Sequence, residues 1–388
     1  MNSSAPPPDQ LAVVMSGGGA RAAYQVGCLA QLAKSFPHFE VPILTGVSAG
    51  AINAVGLAAH AGEIPERVER LSRFWSELTI DSVFQSSYSD MFRRVIYWGS
   101  RLVAGGHKLP MVERHGLVDT KPLWSHLRRV FGAEGERIPG IAENLASGRL
   151  NALGVTGSSY STGQTTTWVQ ARDVEDWVRG HRISEKAEIG VREVMASAAL
   201  PLLFPAVEVR GRWYGDGGIR LTAPLAPAIH LGATRILAVS TRFNPTPEQA
   251  ADRCYIDGYP PPAQVIGSLL NAVFLDQLDG DALRLNRTNE ILSMVPPNAN
   301  PLLRPIELCV LRPSIDLGEL ANQFEADMPR PFRFMTRGLG TRETRSNDML
   351  SMLMFQKDYV EALMELGKRD TAAREDELRV LLRPTTDA

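Results

Sequence analysis

The chain has 388 residues, 44% of them hydrophobic, enough to bury a large core in one or two domains. A formal net charge of −2 gives no electrostatic footprint for nucleic acid. No stretch reaches the roughly 18 apolar residues of a membrane span. Cys28, Cys254 and Cys309 lie far apart in apolar settings, which predicts buried free thiols and neither a disulfide framework nor a metal site.

Residues 1–10 carry three consecutive prolines and no apolar pattern, and read as a disordered leader. They have no basic start or apolar core to serve as a secretory signal, so the expectation is a cytoplasmic chain that at most rests on a membrane surface. Leu11–Met15 predicts a strand, broken at once by Ser16, Gly17, Gly18 and Gly19, and Ala22–Ala33 follows as a helix. Adjacent glycines cost about 0.5–1 kcal/mol each in an ordered element, so backbone must here approach something closely or take positive φ. Gly17, Gly19 and Ala22 fit a dinucleotide fingerprint, but Glu40 precedes the next strand where an acid should follow it. The favoured reading is an oxyanion hole, with backbone N–H groups aimed at a reacting carbonyl.

Val41–Leu44 predicts a short buried strand and Ala51–His60 a helix apolar nearly all round. Ser48 sits at the corner between them with Gly46 and Gly50 on either side, the G-x-S-x-G pattern of a nucleophile elbow. The alternative is a serine that only caps the helix.

Residues 65–78 and 120–131 predict amphipathic helices. Between them, Asp90–Ala104 places Met91, Phe92, Val95, Ile96, Trp98, Leu102 and Val103 on one face and Arg93, Arg94 and Arg101 opposite. This stretch reads as a packed surface helix, or as part of a cap over 80–118 that meets lipid and hinges at Gly105 and Gly106.

Strands are predicted over Leu150–Thr156 and Thr165–Gln170, a short helix over Arg192–Ala199, and a hairpin of Val207–Val209 with Arg212–Tyr214. The hairpin delivers Asp216, Gly217 and Gly218. A helix over Ala223–Leu231 and a buried strand over Arg235–Ser240 follow, and this alternation predicts a mostly parallel, doubly wound α/β sheet. The last third predicts a helix over 263–292, a strand at Ile306–Leu311 that rejoins the main sheet, and further helices to about Leu382.

A serine nucleophile needs a base. Only His230 follows Asp216 in the order of a Ser-Asp-His triad, and it lies inside a predicted helix. His38, His60, His107, His115, His126 and His181 have no motif around them. Asp216 follows a strand and is flanked by glycines, but a carboxylate with a pKa near 3.9 is a weak base unless a dry cleft raises it.

The three motifs, Gly17-Gly18-Gly19-Ala20-Arg21, Gly46-Val47-Ser48-Ala49-Gly50 and Asp216-Gly217-Gly218, resemble in order the signatures of the patatin-like phospholipases. The run from Ala196 to Pro205 is similar to that family as well, and the end of the chain to bacterial members with a C-terminal extension. The resemblance implies a three-layer α/β fold with a catalytic domain over 11–240 and a mainly helical extension over 241–388. It implies a Ser48–Asp216 dyad without histidine and an oxyanion hole at Gly17, Gly18 and Gly19. Arg21, Gly46, Gly50, Gly217 and Gly218 would complete the motifs. The implied activity is a phospholipase A or lysophospholipase type of esterase acting through an acyl-serine intermediate, with no metal or organic cofactor. A triad esterase using His230 and a lipid-binding scaffold without turnover stand as alternatives. The sequence offers no physical role for Arg21.

Overall fold

The first strand is apolar at every position and therefore requires a core on each of its faces. In β1 (Leu11–Met15), Leu11, Val13 and Met15 point into one apolar cluster and Ala12 and Val14 into another. A strand buried on both faces belongs inside a sheet covered by helices on both sides. The computed structural model shows that arrangement; it describes residues 9–84, 118–246, 248–249, 262–296, 303–328, 333 and 347–383. Residues 1–8 of the expected leader, the amphipathic stretch 90–104 with its expected cap role, and Cys254 lie outside the described residues.

Among the described residues ten strands form one sheet. After β1 come β2 (Ile43–Val47), β3 (Ala152–Ser159), β4 (Thr165–Ala171), β5 (Val178–Arg179), β6 (Arg182–Lys186), β7 (Val207–Val209), β8 (Arg212–Asp216), β9 (Arg235–Val239) and β10 (Glu307–Leu311). The order β10-β9-β1-β2-β3-β4-β6-β5 is parallel from β10 to β3 and turns antiparallel at β4. Strand order reverses between β1 and β9, so the loop after β1 opens at a topological switch point, where open α/β sheets bind ligands.

The helices that matter for the site are α1 (Ala23–Ser35), α2 (Ala49–Ala58), α3 (Ile64–Ser76), α4 (Lys121–Val130), α5 (Pro139–Ser147), α6 (Val191–Ser197), α7 (Ala226–His230), α8 (Pro262–Phe274), α9 (Gln277–Ser293), α10 (Asp348–Leu353), α11 (Lys357–Ala372) and α12 (Glu375–Leu381). Helices α1, α2, α3 and α11 share the core on one face of the sheet, and α7 and α9 the core on the other. The expected three layers are present.

Several boundaries differ from the sequence expectation. β2 begins at Ile43 and not Val41, because Pro42 has no N–H to give; its carbonyl instead accepts the amides of Asn151 at 2.7 Å and Ala152 at 3.1 Å. The predicted helix 263–292 breaks into α8 and α9 where Phe274 and Leu275 turn inward against Met352. β10 joins the sheet edge beside β9, as expected. β5, β6 and α5 were not anticipated: Arg182–Lys186 carries only Ser184 buried, so its pattern is that of a polar loop.

The glycines of the elbow serve packing first. A Cβ on Gly50 would stand 2.3 Å from the Met15 carbonyl oxygen and 2.4 Å from that of Ser16, and one on Gly46 would stand 2.4 Å from the Gly50 carbonyl. They let α2 lie directly on β1 and β2. Gly50→Ala is expected to lower stability by about 3 kcal/mol or more, since backbone and not a flexible side chain blocks the methyl. A urea unfolding midpoint unchanged from wild type would show that α2 can move off the sheet.

Candidate active site

Two strand ends meet on one edge of β3. β2 pairs along β3 as far as Val47 opposite Thr156, and then leaves the sheet. β8 runs the other way and takes over the same edge, with Asp216 opposite Gly157. Ser48 is the next residue after Val47, so pairing register alone brings its hydroxyl beside the Asp216 carboxylate. Both side chains are buried.

Ser48 has φ 57° and ψ −131°, a strained conformation for a residue with a side chain. It stands at the N-cap position of α2, yet its hydroxyl makes no capping bond. That removes the capping alternative and leaves Oγ uncommitted to the helix. The corner is held from behind: the Ser48 N–H donates to Ser197 Oγ at 2.9 Å, and the Ser197 hydroxyl donates to the Thr156 carbonyl at 2.6 Å.

The same short segment holds Asp216, whose N–H donates to the Ala199 carbonyl at 2.9 Å. Asp216 Oδ1 accepts the Gly218 N–H at 2.8 Å, while the buried Oδ2 makes no well-formed hydrogen bond. Burial pushes the carboxyl up from 3.8 to about 7, against the opposing pull of the Ser48 hydroxyl and the Gly218 N–H. Gly217 is required by space, since a Cβ there would stand 2.1 Å from the Thr156 carbonyl oxygen. The Tyr160 phenol lies against Gly215, next to Asp216 in the chain, and is pushed above its ordinary pKa by burial and by the charge of Asp216.

The glycine loop passes over Ser48: a Cβ on Gly17 would stand 3.0 Å from Ser48 Cβ. Three of its carbonyls are engaged. Gln25 Nε2 donates to Ser16 O at 2.8 Å, Thr241 Oγ1 to Gly17 O at 2.6 Å, and the Arg21 N–H to Gly18 O at 3.1 Å. With Gly18 at φ 146° and Gly19 at φ 57°, the amides of both are left without a hydrogen bond among the described residues. Behind the loop, Trp75 Nε1 donates to Asn53 Oδ1 at 2.7 Å and Asn53 Nδ2 to Gln25 Oε1 at 2.9 Å. A buried polar network of this kind fixes a backbone, because every member loses a partner if it moves.

Arg21 points away from Ser48. Its guanidinium is buried and donates to Ser351 Oγ at 2.6 Å and to Asp348 Oδ1 at 2.5 Å, both on α10. His230 is not brought to the site either. Its ring stacks on Trp177 at 4.8 Å, in the helix on the opposite face of the sheet from α2. Burial and the nearby Arg179 and Arg182 hold its pKa below the ordinary value. None of the described histidines hydrogen-bonds Ser48 or Asp216; His107 and His115 lie outside the described residues. The triad through His230 is therefore not assembled.

Ser48 opens into a narrow cleft walled by Ile52, Trp75, Leu123, Leu200, Phe204, Phe274, Met352 and Phe355. The walls are almost wholly apolar, with Gly19 and Ser48 at one end. Sequence reasoning passed over Ser197, Gln25, Asn53 and Thr241. Ser197 lay in a run noted only as a resemblance, and the other three are single polar residues next to apolar runs, with no pattern to set them apart.

The model described as "Patatin-like phospholipase" matches residues 13–229, and the chain belongs to that family. No curated protein sequence matches the chain. Among solved structures, VipD from Legionella pneumophila is 14% identical with a TM-score of 0.36, over 93% of this chain and 67% of that one. Human GIVD cytosolic phospholipase A2 in complex with methyl gamma-linolenyl fluorophosphonate is 14% identical with a TM-score of 0.44, over 97% of this chain. The chain spans 59% of the human protein's length. Among the described residues no helix is long and apolar enough to cross a membrane.

Proposed function

We propose that the chain is a lipid acyl hydrolase working through Ser48 and Asp216. The observation that carries this is the meeting of β2 and β8 on β3, which brings a serine hydroxyl with no capping role beside a buried carboxylate. A carboxyl raised to about 7 is half ionised near neutral pH and able to take a proton there. Ser48 Oγ attacks the ester carbonyl as its proton passes to Asp216. The carbonyl oxygen becomes an oxyanion, accepted by the free amides of Gly18 and Gly19 with Gly17 packed beneath. The ester C–O bond breaks, the leaving alcohol takes the proton from Asp216, and an acyl-Ser48 ester remains. Asp216 then removes a proton from water, hydroxide oxygen adds to the acyl carbon, and collapse releases the fatty acid and returns the proton to Ser48. The role is assigned to residues 11–240, with part of the cleft wall supplied by the extension.

The apolar lining suits an acyl chain and offers nothing to a charged head group, which would stay outside it. Leu202 is 67% exposed between Leu200 and Phe204, which line the cleft, an apolar side chain available to a lipid surface. The test is hydrolysis of p-nitrophenyl esters of increasing chain length, followed by phosphatidylcholine vesicles. Each methylene from acetyl to octanoyl should raise kcat/KM by up to about fourfold, since burying a CH₂ contributes about 0.8 kcal/mol. Vesicles should release free fatty acid. A flat chain-length profile would contradict the acyl assignment of the cleft, and no hydrolysis of any ester by folded protein would contradict the enzyme reading.

A further inference from the structure

Arg21 belongs to the glycine motif, but the structure gives it no access to substrate. Its Nε–H goes to Ser351 Oγ at 2.6 Å, and its Nη2 to Asp348 Oδ1 at 2.5 Å and to the Asp348 carbonyl at 3.3 Å. Ser351 is itself oriented, its hydroxyl donating back to the Asp348 carbonyl at 2.7 Å. The backbone follows the side chain down onto α10: a Cβ on Gly19 would stand 2.2 Å from the Met352 carbonyl oxygen. The loop that presents the Gly18 and Gly19 amides therefore rests on a helix more than 300 residues further along the chain, pinned there by a largely buried ion pair.

Asp348 has a second oxygen, and it reaches the other half of the site. Asp348 Oδ2 accepts the Asn271 side-chain N–H at 2.7 Å. Asn271 lies on α8, whose Phe274 packs so closely on Gly218 that a Cβ there would stand 2.5 Å from its ring. The Gly218 N–H is the hydrogen bond on Asp216 Oδ1. One carboxylate thus ties the glycine loop on one side to the wall behind Asp216 on the other.

We propose that Arg21 and Asp348 are positioning residues, through which the C-terminal extension holds the glycine loop in place over Ser48 and couples it to the wall behind Asp216. The inference rests on the oxyanion role given above to Gly18 and Gly19. Transition-state contacts are lost by small displacements, and a misplacement of 1 Å can cost about 100-fold in rate.

The test separates positioning from mere stability. Asp348→Ala leaves the Arg21 cation buried and unpaired, and should lower both Tm and kcat. The double variant Arg21→Met with Asp348→Leu removes the stranded charge, and is expected to recover most of the Tm. Its kcat on a soluble ester should stay about 10- to 100-fold below wild type, with KM within about twofold. Hydrogen exchange of the amides over residues 16–22 should remain faster than wild type in the double variant. Recovery of kcat together with Tm, a loss confined to KM, or wild-type exchange in 16–22 would overturn the proposal. If the double variant does not fold, Ser351→Ala removes one bond of the anchor; faster exchange over 16–22 with a lower kcat supports the proposal, and no change in either overturns it. Exchange needs no turnover, so a wild type without esterase activity would sink the proposed function while the exchange comparison still judged the anchor.

Discussion

Ser48→Ala is expected to lower kcat by about 10⁴-fold or more, because the covalent route disappears with the only atom able to start it. The fold should be kept. Ser48 Oγ makes no capping bond, its N–H bond to Ser197 is made by backbone, and alanine meets the same backbone strain as serine at φ 57°. Binding to lipid vesicles should therefore match wild type, as measured by cosedimentation. This outcome also divides the enzyme from a lipid-binding scaffold. A scaffold predicts equal binding too, but with no hydrolysis by wild type for the substitution to remove.

Asp216→Asn should lower kcat/KM by about 10³- to 10⁴-fold, the scale of losing a general base held in fixed geometry. Asparagine keeps an oxygen for the Gly218 N–H and nearly the same shape, so the loss would report the missing proton acceptor. In wild type, kcat/KM should rise with pH through an apparent pKa near 7 and then level off, because the working form is the ionised one. A profile flat from pH 5 to 9 would contradict the assignment. The same carboxyl predicts a stability effect of opposite sign. Its folded pKa lies above its unfolded value, so the folded state binds more protons and stability falls as pH rises from about 4 to about 7. Raising a carboxyl from 3.8 to about 7 corresponds to about 4 kcal/mol carried by the ionised folded state. Asp216→Asn removes that burden, and its Tm should exceed wild type at pH 8 and converge with it near pH 4. An inactive variant that is more stable than its parent is what a strained, dry active site implies.

Much of this site is legible in the sequence because its parts are local. A strand, a glycine break and a helix can be read from a few residues, and they locate the glycine loop and Ser48 to within a residue or two. The helices and the parallel sheet follow from apolar runs alternating with amphipathic ones. What brings Asp216 to Ser48 is different in kind. It depends on the register by which β2 and β8 share one edge of β3, and pairing register leaves no mark in any single segment. Register also explains His230. Its position after Asp216 satisfied the order of a triad, but the helix that carries it packs beneath the other face of the sheet.

Long-range packing hides in the same way. Gly27 and Gly367 sit inside helices where each alone looks like a propensity defect. In the fold α1 crosses α11 at these two residues, where a Cβ on Gly27 would stand 2.0 Å from Met364 O and one on Gly367 2.2 Å from Tyr24 O. The burial of Arg21 is legible only once α10 is in place, since neither Asp348 nor Ser351 stands out from its neighbours. Cys28 and Cys309 were simpler: apolar surroundings predict buried thiols, and burial does push both up to about 12.

The most direct test is covalent labelling with an alkyl fluorophosphonate, followed by peptide mapping, on wild type, Ser48→Ala and Asp216→Asn. The account predicts one adduct per chain on Ser48, none in Ser48→Ala, and labelling at least about 100-fold slower in Asp216→Asn, whose serine has lost its proton acceptor. An adduct on any other residue, or labelling of Ser48 at an unchanged rate in Asp216→Asn, would contradict it.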